Sequence, residues 1–283
     1  MEIRLAKTNR DFLSQYAEIL EQHAAVTQLF STNLQGDLDL PLERHQARGG
    51  IYEGDCLLLL FLNPIPWNLQ IWADDYPEAA IDLLVNYLIS ESIDIKGVQG
   101  NQLLTDRFVL QYGRWTNLSF RTRLAMDIMV LRKLIDVIPK GTPREATMKD
   151  IDALCEWEAA FLREALHEDT DASAMREKVL AHLEKNLVMV VEDDRHQLVS
   201  MAMASRKMPK GRAISLVYTP PQFRNRGFSR HCVHALCTRL FEEKNEFVSL
   251  FVDKTNPVSN HLYLALGFEI VTDSLDRVIE DVL

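Results

Sequence analysis

Apolar residues recur at helical spacing between positions 8 and 33, at Phe12, Tyr16, Ile19, Leu20, Val26 and Phe30, and predict a helix there. A turn-rich stretch follows from Asn33 to Pro41. Ile51 to Leu62 is rich in Leu, ends at Asn63-Pro64 and reads as a buried strand. Asn68 to Trp72 is a short strand candidate. Ala79, Ile81, Leu83, Leu84, Tyr87 and Leu88 predict a helix over 78–90. Gly97 to Gly100 reads as a turn and 101–112 as a helix, and the alternation from Leu118 to Leu131 suits a long strand. Ile138-Pro139-Lys140-Gly141-Thr142-Pro143 then interrupts the pattern and is the best boundary candidate, giving domains of 1–138 and 143–283.

Beyond the boundary the pattern restarts. Thr147 to Leu166 predicts a helix, with Thr147 as N-cap and Asp150 three residues on. Ala172 to Glu184 predicts another. Leu187–Glu192 and Leu198–Met203 flank Asp193-Asp194-Arg195-His196 as a hairpin. Arg212–Tyr218 is a strand, 229–243 a helix, 247–252 a strand and 258–266 a helix, with closing strands at 268–272 and 276–282. This order implies an α/β layout with a mixed sheet. The N-terminal half shows a similar mixture but no clear residue repeat, and Trp67, Trp72 and Trp115 within it read as core.

Composition narrows the function classes. The net charge of −10 argues against a nonspecific nucleic-acid binder. Cys56, Cys155, Cys232 and Cys237 form no CxxC pair or zinc-finger spacing, so no metal site is expected and Cys232 and Cys237 read as core thiols. The N-terminus lacks the apolar region of a signal peptide, and the longest apolar run, 56–62, is too short to span a bilayer. A cytoplasmic protein without a membrane role is expected.

The chemistry concentrates in Ile214-Ser215-Leu216-Val217-Tyr218-Thr219-Pro220-Pro221-Gln222-Phe223-Arg224-Asn225-Arg226-Gly227-Phe228-Ser229-Arg230. A strand runs into a tight loop and then a helix N-terminus. The first amides of a helix lack intrahelical partners and carry partial positive charge, which suits phosphate. Gly227 permits a positive φ or a close approach, and Arg224, Arg226 and Arg230 gather cations in an acidic chain. This segment resembles motif A of the GNAT (GCN5-related N-acetyltransferase) superfamily, Gln/Arg-x-x-Gly-x-Gly/Ala, with Ser229 at the last position. Asn256-Pro257-Val258-Ser259-Asn260-His261-Leu262-Tyr263-Leu264-Ala265-Leu266-Gly267-Phe268 is similar to its motif B. Read physically, Asn256 starts a helix and Gly267 ends it.

The resemblance covers roughly 140 residues, the usual size of one domain. It implies the acyl-CoA N-acyltransferase fold and acetyl transfer from acetyl-CoA, without a metal, to an amine. It implies that amides from Arg224 through Asn225, Arg226, Gly227 and Phe228 to Ser229 hold the CoA pyrophosphate. It further implies that Val217, Tyr218 and Thr219 pair with the pantetheine arm, that Asn256 and Asn260 line the CoA side, and that Tyr263 protonates the leaving thiolate. The base is open: Glu156, Glu158, Glu164 and His167 are candidates by location. The N-terminal half, with Gly97–Asn101 as a relic of such a loop, is expected to be a degenerate, non-catalytic GNAT-like domain that covers the acceptor site or forms a homodimer contact. A small-molecule primary amine is the expected acceptor. A CoA-binding regulator without catalysis and a protein-amine acetyltransferase are the alternatives.

Overall fold

The structure, a computed structural model, describes residues 1–34, 38–39, 46–75, 77–166 and 169–280. In chain order it begins with β1 (Glu2–Leu5), α1 (Asn9–Gln15), α2 (Ala17–Gln22), α3 (Ala24–Asn33), β2 (Arg48–Glu53), β3 (Cys56–Leu62) and β4 (Leu69–Trp72). There follow α4 (Glu78–Ser90), β5 (Gly97–Gly100), α5 (Gln102–Thr116), β6 (Phe120–Leu131), β7 (Thr142–Glu145), α6 (Ile151–Phe161) and α7 (Arg176–Glu184). The chain closes with β8 (Val188–Glu192), β9 (Leu198–Met208), β10 (Gly211–Tyr218), α8 (Phe228–Glu242), β11 (Phe247–Asp253), α9 (Pro257–Leu264) and β12 (Glu269–Ile279). No helix among the described residues is long and apolar enough to cross a membrane.

Two compact units result. One contains Met1–Ile128, Val252–Asn256 and the residues from Ile270 onward; the other contains Met129–Phe251 and Pro257–Glu269. In the first unit the sheet order is β1-β2-β3-β4-β5-β12-β6. The first three pairings are antiparallel and β4–β5 is parallel. In the second unit the order β7-β8-β9-β10-β11 repeats that scheme, three antiparallel pairings and then a parallel one. The element order repeats as well: strand, helices, three strands, helix, strand, helix, strand. The N-terminal half is thus built as a second copy of the C-terminal fold, although the residues show no repeat.

Each sheet is covered on its faces by the helices between its strands. In the first unit, Ile81, Leu84, Val85 and Leu88 of α4 and Leu104 and Phe108 of α5 pack on Leu59, Phe61, Leu69, Ile71 and Val98. Phe12, Tyr16, Leu20 and Phe30 pack on the other face with Leu60 and Leu62. In the second unit Leu154, Cys155 and Trp157 of α6 and Val179 and Leu183 of α7 meet Val188, Val190, Met201, Met203, Leu216 and Tyr218. The α8 stripe Cys232, Val233, Leu236, Cys237 and Leu240 is also buried, as expected for core thiols.

Several expectations change. The helix predicted over 8–33 is three short helices, broken at Tyr16 and His23, whose φ of −107° and −109° leave helical geometry. Tyr16 is buried against Phe12, so the breaks bend one apolar face around a compact core. The strand predicted over 51–62 is the β2–β3 hairpin, turned at Gly54 with φ of +61°. Gly97 to Gly100 is strand β5 and not a turn. A Cβ at Gly97 would stand 2.1 Å from the Arg277 carbonyl oxygen, so this glycine serves close strand approach. β1 and β7 escaped detection because four residues with charges carry no clear period. The two closing strands are one, β12, with Val282 outside the described residues. Trp67 and Trp115 are exposed, at 61% and 68%, rather than core. The Thr147–Asp150 cap forms: the Thr147 N–H donates to Asp150 at 2.7 Å, and Arg144 reaches both carboxylate oxygens at 2.8 and 2.9 Å.

Candidate active site

β10 enters the site in parallel register with β11 through Gly211–Phe247, Arg212–Val248 and Ala213–Ser249, and the register goes no further although both strands continue. On its other side β10 pairs Ser215 with Met203 and Tyr218 with Met201. Two β10 residues, Leu216 and Val217, therefore face one on β9, which is a β-bulge. Leu216 takes a φ of +48°, unusual for a branched side chain. The bulge and the parting from β11 leave the main chain of Leu216–Val217 outside a regular ladder, and that backbone can receive an extended chain of amides.

The loop beyond is pinned at both ends. Phe223 and Phe228 are buried, while Arg224, Asn225, Arg226 and Gly227 between them are exposed. Asn225 and Gly227 take φ of +60° and +83°. Gly227 is the N-cap of α8, and no side chain caps that end. The first i-to-i−4 bond is His231 N–H to the Gly227 carbonyl at 3.1 Å, so the amides of Phe228, Ser229 and Arg230 belong to the first turn. A caps-free helix start after a glycine is a cradle for an oxyanion.

The arginines are held by protein groups. Arg224 donates through Nε to the Thr219 carbonyl at 2.9 Å and through Nη2 to Glu164 at 2.6 Å. Arg230 donates to the Ala265 carbonyl at 2.8 Å, which ties α8 to the end of α9. Arg226 lies over the Phe228 ring at 5.0 Å. Backbone amides, more than these side chains, are therefore the groups positioned for a diphosphate.

Tyr263 is buried on α9. Gly267, at φ of +97°, ends the helix: its N–H bonds the Leu264 carbonyl at 3.1 Å and the Phe268 N–H bonds the Tyr263 carbonyl at 3.1 Å. This double closure with a Tyr263–Phe268 ring contact at 5.6 Å is a Schellman motif. Burial first, then the nearby Cys237 thiol, pushes the Tyr263 phenol well above its ordinary value, so it keeps its proton at neutral pH. Asn260 is half-buried on the same helix, and Asn256, just before it, is exposed.

The base candidates separate. Glu156 lines a groove of about 580 Å³ with Arg163 and Asp169–Ala172. Glu158 is buried and paired with Lys178 at 2.5 Å and His182 at 3.7 Å; burial lowers the His182 imidazole despite that carboxylate. Glu164 lies in a π-helical turn, Leu162–Leu166, that extends α6. Its Oε1 accepts from the Tyr218 hydroxyl at 3.1 Å. His167 lies outside the described residues. The Tyr218 side chain, considered from sequence only for its backbone, is the residue that sequence reasoning missed; an aromatic at the bulged strand end was its only signal.

Fold and strand–loop–helix together define the class: a mixed α/β protein of the acyl-CoA N-acyltransferase fold. Residues 151–268, within the C-terminal half, match the Acetyltransferase (GNAT) family. No curated protein matches the sequence. Among solved structures, a GCN5-related N-acetyltransferase from Sphaerobacter thermophilus is similar at 14% identity and a TM-score of 0.62, covering 98% of this chain and 95% of that one. A GNAT-family acetyltransferase from Colwellia psychrerythraea is similar at 10% identity and 0.58, covering 99% of both. A tandem GNAT protein from the clavulanic acid biosynthesis pathway is similar at 11% identity and 0.55, covering 99% and 98%. At these identities the likeness is one of fold, and the tandem case agrees with the repeated element order of the two halves.

Proposed function

We propose that the protein transfers an acetyl group from acetyl-CoA to a primary amine of a small, cationic metabolite by direct attack. The observation that carries this reading is the bulged end of β10 leading through Gly227 into the uncapped start of α8. Acetyl-CoA would supply the thioester. The backbone of Leu216–Thr219 would pair with its pantetheine amides, and the first-turn amides of α8 would hold its pyrophosphate. An N–H at the bulge, at Val217, would polarise the thioester carbonyl. Tyr263, protonated at neutral pH, would donate its proton to the departing sulfur. The acidic chain favours a cationic acceptor. A cytoplasmic location and a homodimer through the N-terminal unit remain part of the proposal.

Release of free CoA, measured with a panel of small amines and with lysine peptides, tests the reading. Amine-stimulated release by small amines supports it. Tight acetyl-CoA binding that no amine turns over points to a regulator, and stimulation by the peptides alone points to a protein acceptor.

A further inference from the structure

The exposed side of the Tyr218–Arg224 segment is built as a receptor for a cation, and the protein's own guanidinium fills it. Glu164 offers two carboxylate oxygens: Oε1 is fixed by the Tyr218 hydroxyl at 3.1 Å, and Oε2 takes Arg224 Nη2 at 2.6 Å. The Arg224 guanidinium carbon also stands 5.6 Å from the centre of the Tyr218 ring, so carboxylate and π face serve the same positive charge. Tyr218 is buried and backed by Trp157, whose ring centre is 6.3 Å away, which makes the aromatic wall rigid. The Arg224 and Glu164 side chains are 41% and 46% exposed. An ion pair so exposed contributes little to stability, and another cation can replace it at little cost.

We infer that Glu164, Tyr218 and Trp157 form the binding site for the ammonium group of the acceptor, with Arg224 as the internal cation that the acceptor displaces. This rests on the reading of the second unit as an acetyl-CoA-dependent transferase. Arg224 is also the first residue of the phosphate loop, so a bound diphosphate offers its guanidinium an alternative anion within the same loop. Filling the CoA site then opens the ammonium site, and the two substrates bind in that order. The acceptor class follows: an amine that carries positive charge when it arrives, in preference to an aniline or a neutral amide.

Calorimetric binding of 1,4-diaminobutane and propylammonium, with 1-propanol as the neutral control, tests this on the full chain with and without saturating CoA. The wild-type protein should bind both amines at least fivefold more tightly when CoA is present, and should not bind 1-propanol. Glu164→Gln should weaken amine binding at least tenfold in the presence of CoA while leaving CoA affinity within a factor of about three. Arg224→Gln should bind the amines without CoA as tightly as the CoA-loaded wild type does. A merely structural ion pair would make both variants weaker or neutral, never opposite. Amine affinity indifferent to CoA in the wild type, or unchanged in Glu164→Gln, overturns the assignment. Failure of the wild type to bind CoA overturns the transferase reading instead, and the Arg224→Gln comparison without CoA still decides the cation site.

Discussion

Tyr263 is held by the end of its own helix. The Schellman closure at Gly267 and Phe268 fixes the backbone of Tyr263, and burial keeps its phenol protonated. Tyr263→Phe should leave the acetyl-CoA dissociation constant nearly unchanged and lower kcat about a hundredfold, the usual worth of a positioned proton donor; steady-state kinetics beside calorimetry checks this, and unchanged turnover removes Tyr263 from the chemistry. Gly227 carries the other residue-scale requirement. At φ of +83° a side chain is strained by about 1–2 kcal/mol, and a Cβ there would meet Lys140 Cγ at 3.3 Å. Gly227→Val should raise the acetyl-CoA dissociation constant by about tenfold or more, equivalent to about 1.4 kcal/mol, with the fold retained by circular dichroism. Buried acids make a further prediction. The Cys232 and Cys237 thiols and the Tyr263 phenol are all raised by burial from ordinary values of 9.0 and 10.0. The folded state therefore keeps protons that the unfolded chain releases, and stability is full below about pH 9 and falls as pH rises beyond it. Urea midpoints measured from pH 7 to 10.5 should decline only at the alkaline end; a flat profile contradicts the burial of these groups.

At the scale of elements the decisive feature is the β10 bulge. Leu216 takes a strained φ of +48° yet buries its side chain against α6 and α7. Glycine would relieve roughly 1 kcal/mol of strain, but loss of a buried leucine side chain costs about 2–5 kcal/mol. Leu216→Gly should thus destabilise the protein by about 2 kcal/mol net in urea unfolding, and a stabilised variant would show that the strain dominates. Much of this region was legible in the sequence, because a strand, a Gly-containing loop and a strong helix in succession have one common arrangement. The residues that set α8 and α9, Gly227 and Gly267, were read as such. The bulge was not legible: its cause is a register mismatch with Met201–Met203, a relation between strands that no local period encodes. The same reason hid β1 and β7, which exist only through their pairing with β2 and β8. Glu164 could be named as a carboxylate by location, but its meeting with Tyr218 and Arg224 joins positions 54 and 60 residues apart.

On the scale of the whole molecule, one fold is used twice with different results. In the first unit the strand equivalent to β10 is β4, and the chain after it reads Ala73-Asp74-Asp75-Tyr76-Pro77-Glu78, without glycine or cation. Glu78 places a negative charge in the first turn of α4, where α8 of the second unit carries none. The parallel neighbour also stays close: a Cβ at Gly100 would lie 2.8 Å from the Ile71 carbonyl oxygen, leaving no slot for a pantetheine arm between β4 and β5. Asn101 caps α5 through the Leu104 N–H at 3.0 Å, so Gly97–Asn101 is the counterpart of the strand and Asn256 that precede α9, and not a relic of a phosphate loop. The first unit should therefore bind no second acyl-CoA. The most direct measurement is a calorimetric titration of the wild-type chain with acetyl-CoA. One saturable site per chain, weakened by Gly227→Val, is the expected result; absence of binding at millimolar acetyl-CoA, or a site that Gly227→Val leaves untouched, would contradict the assignment of the phosphate cradle to the start of α8.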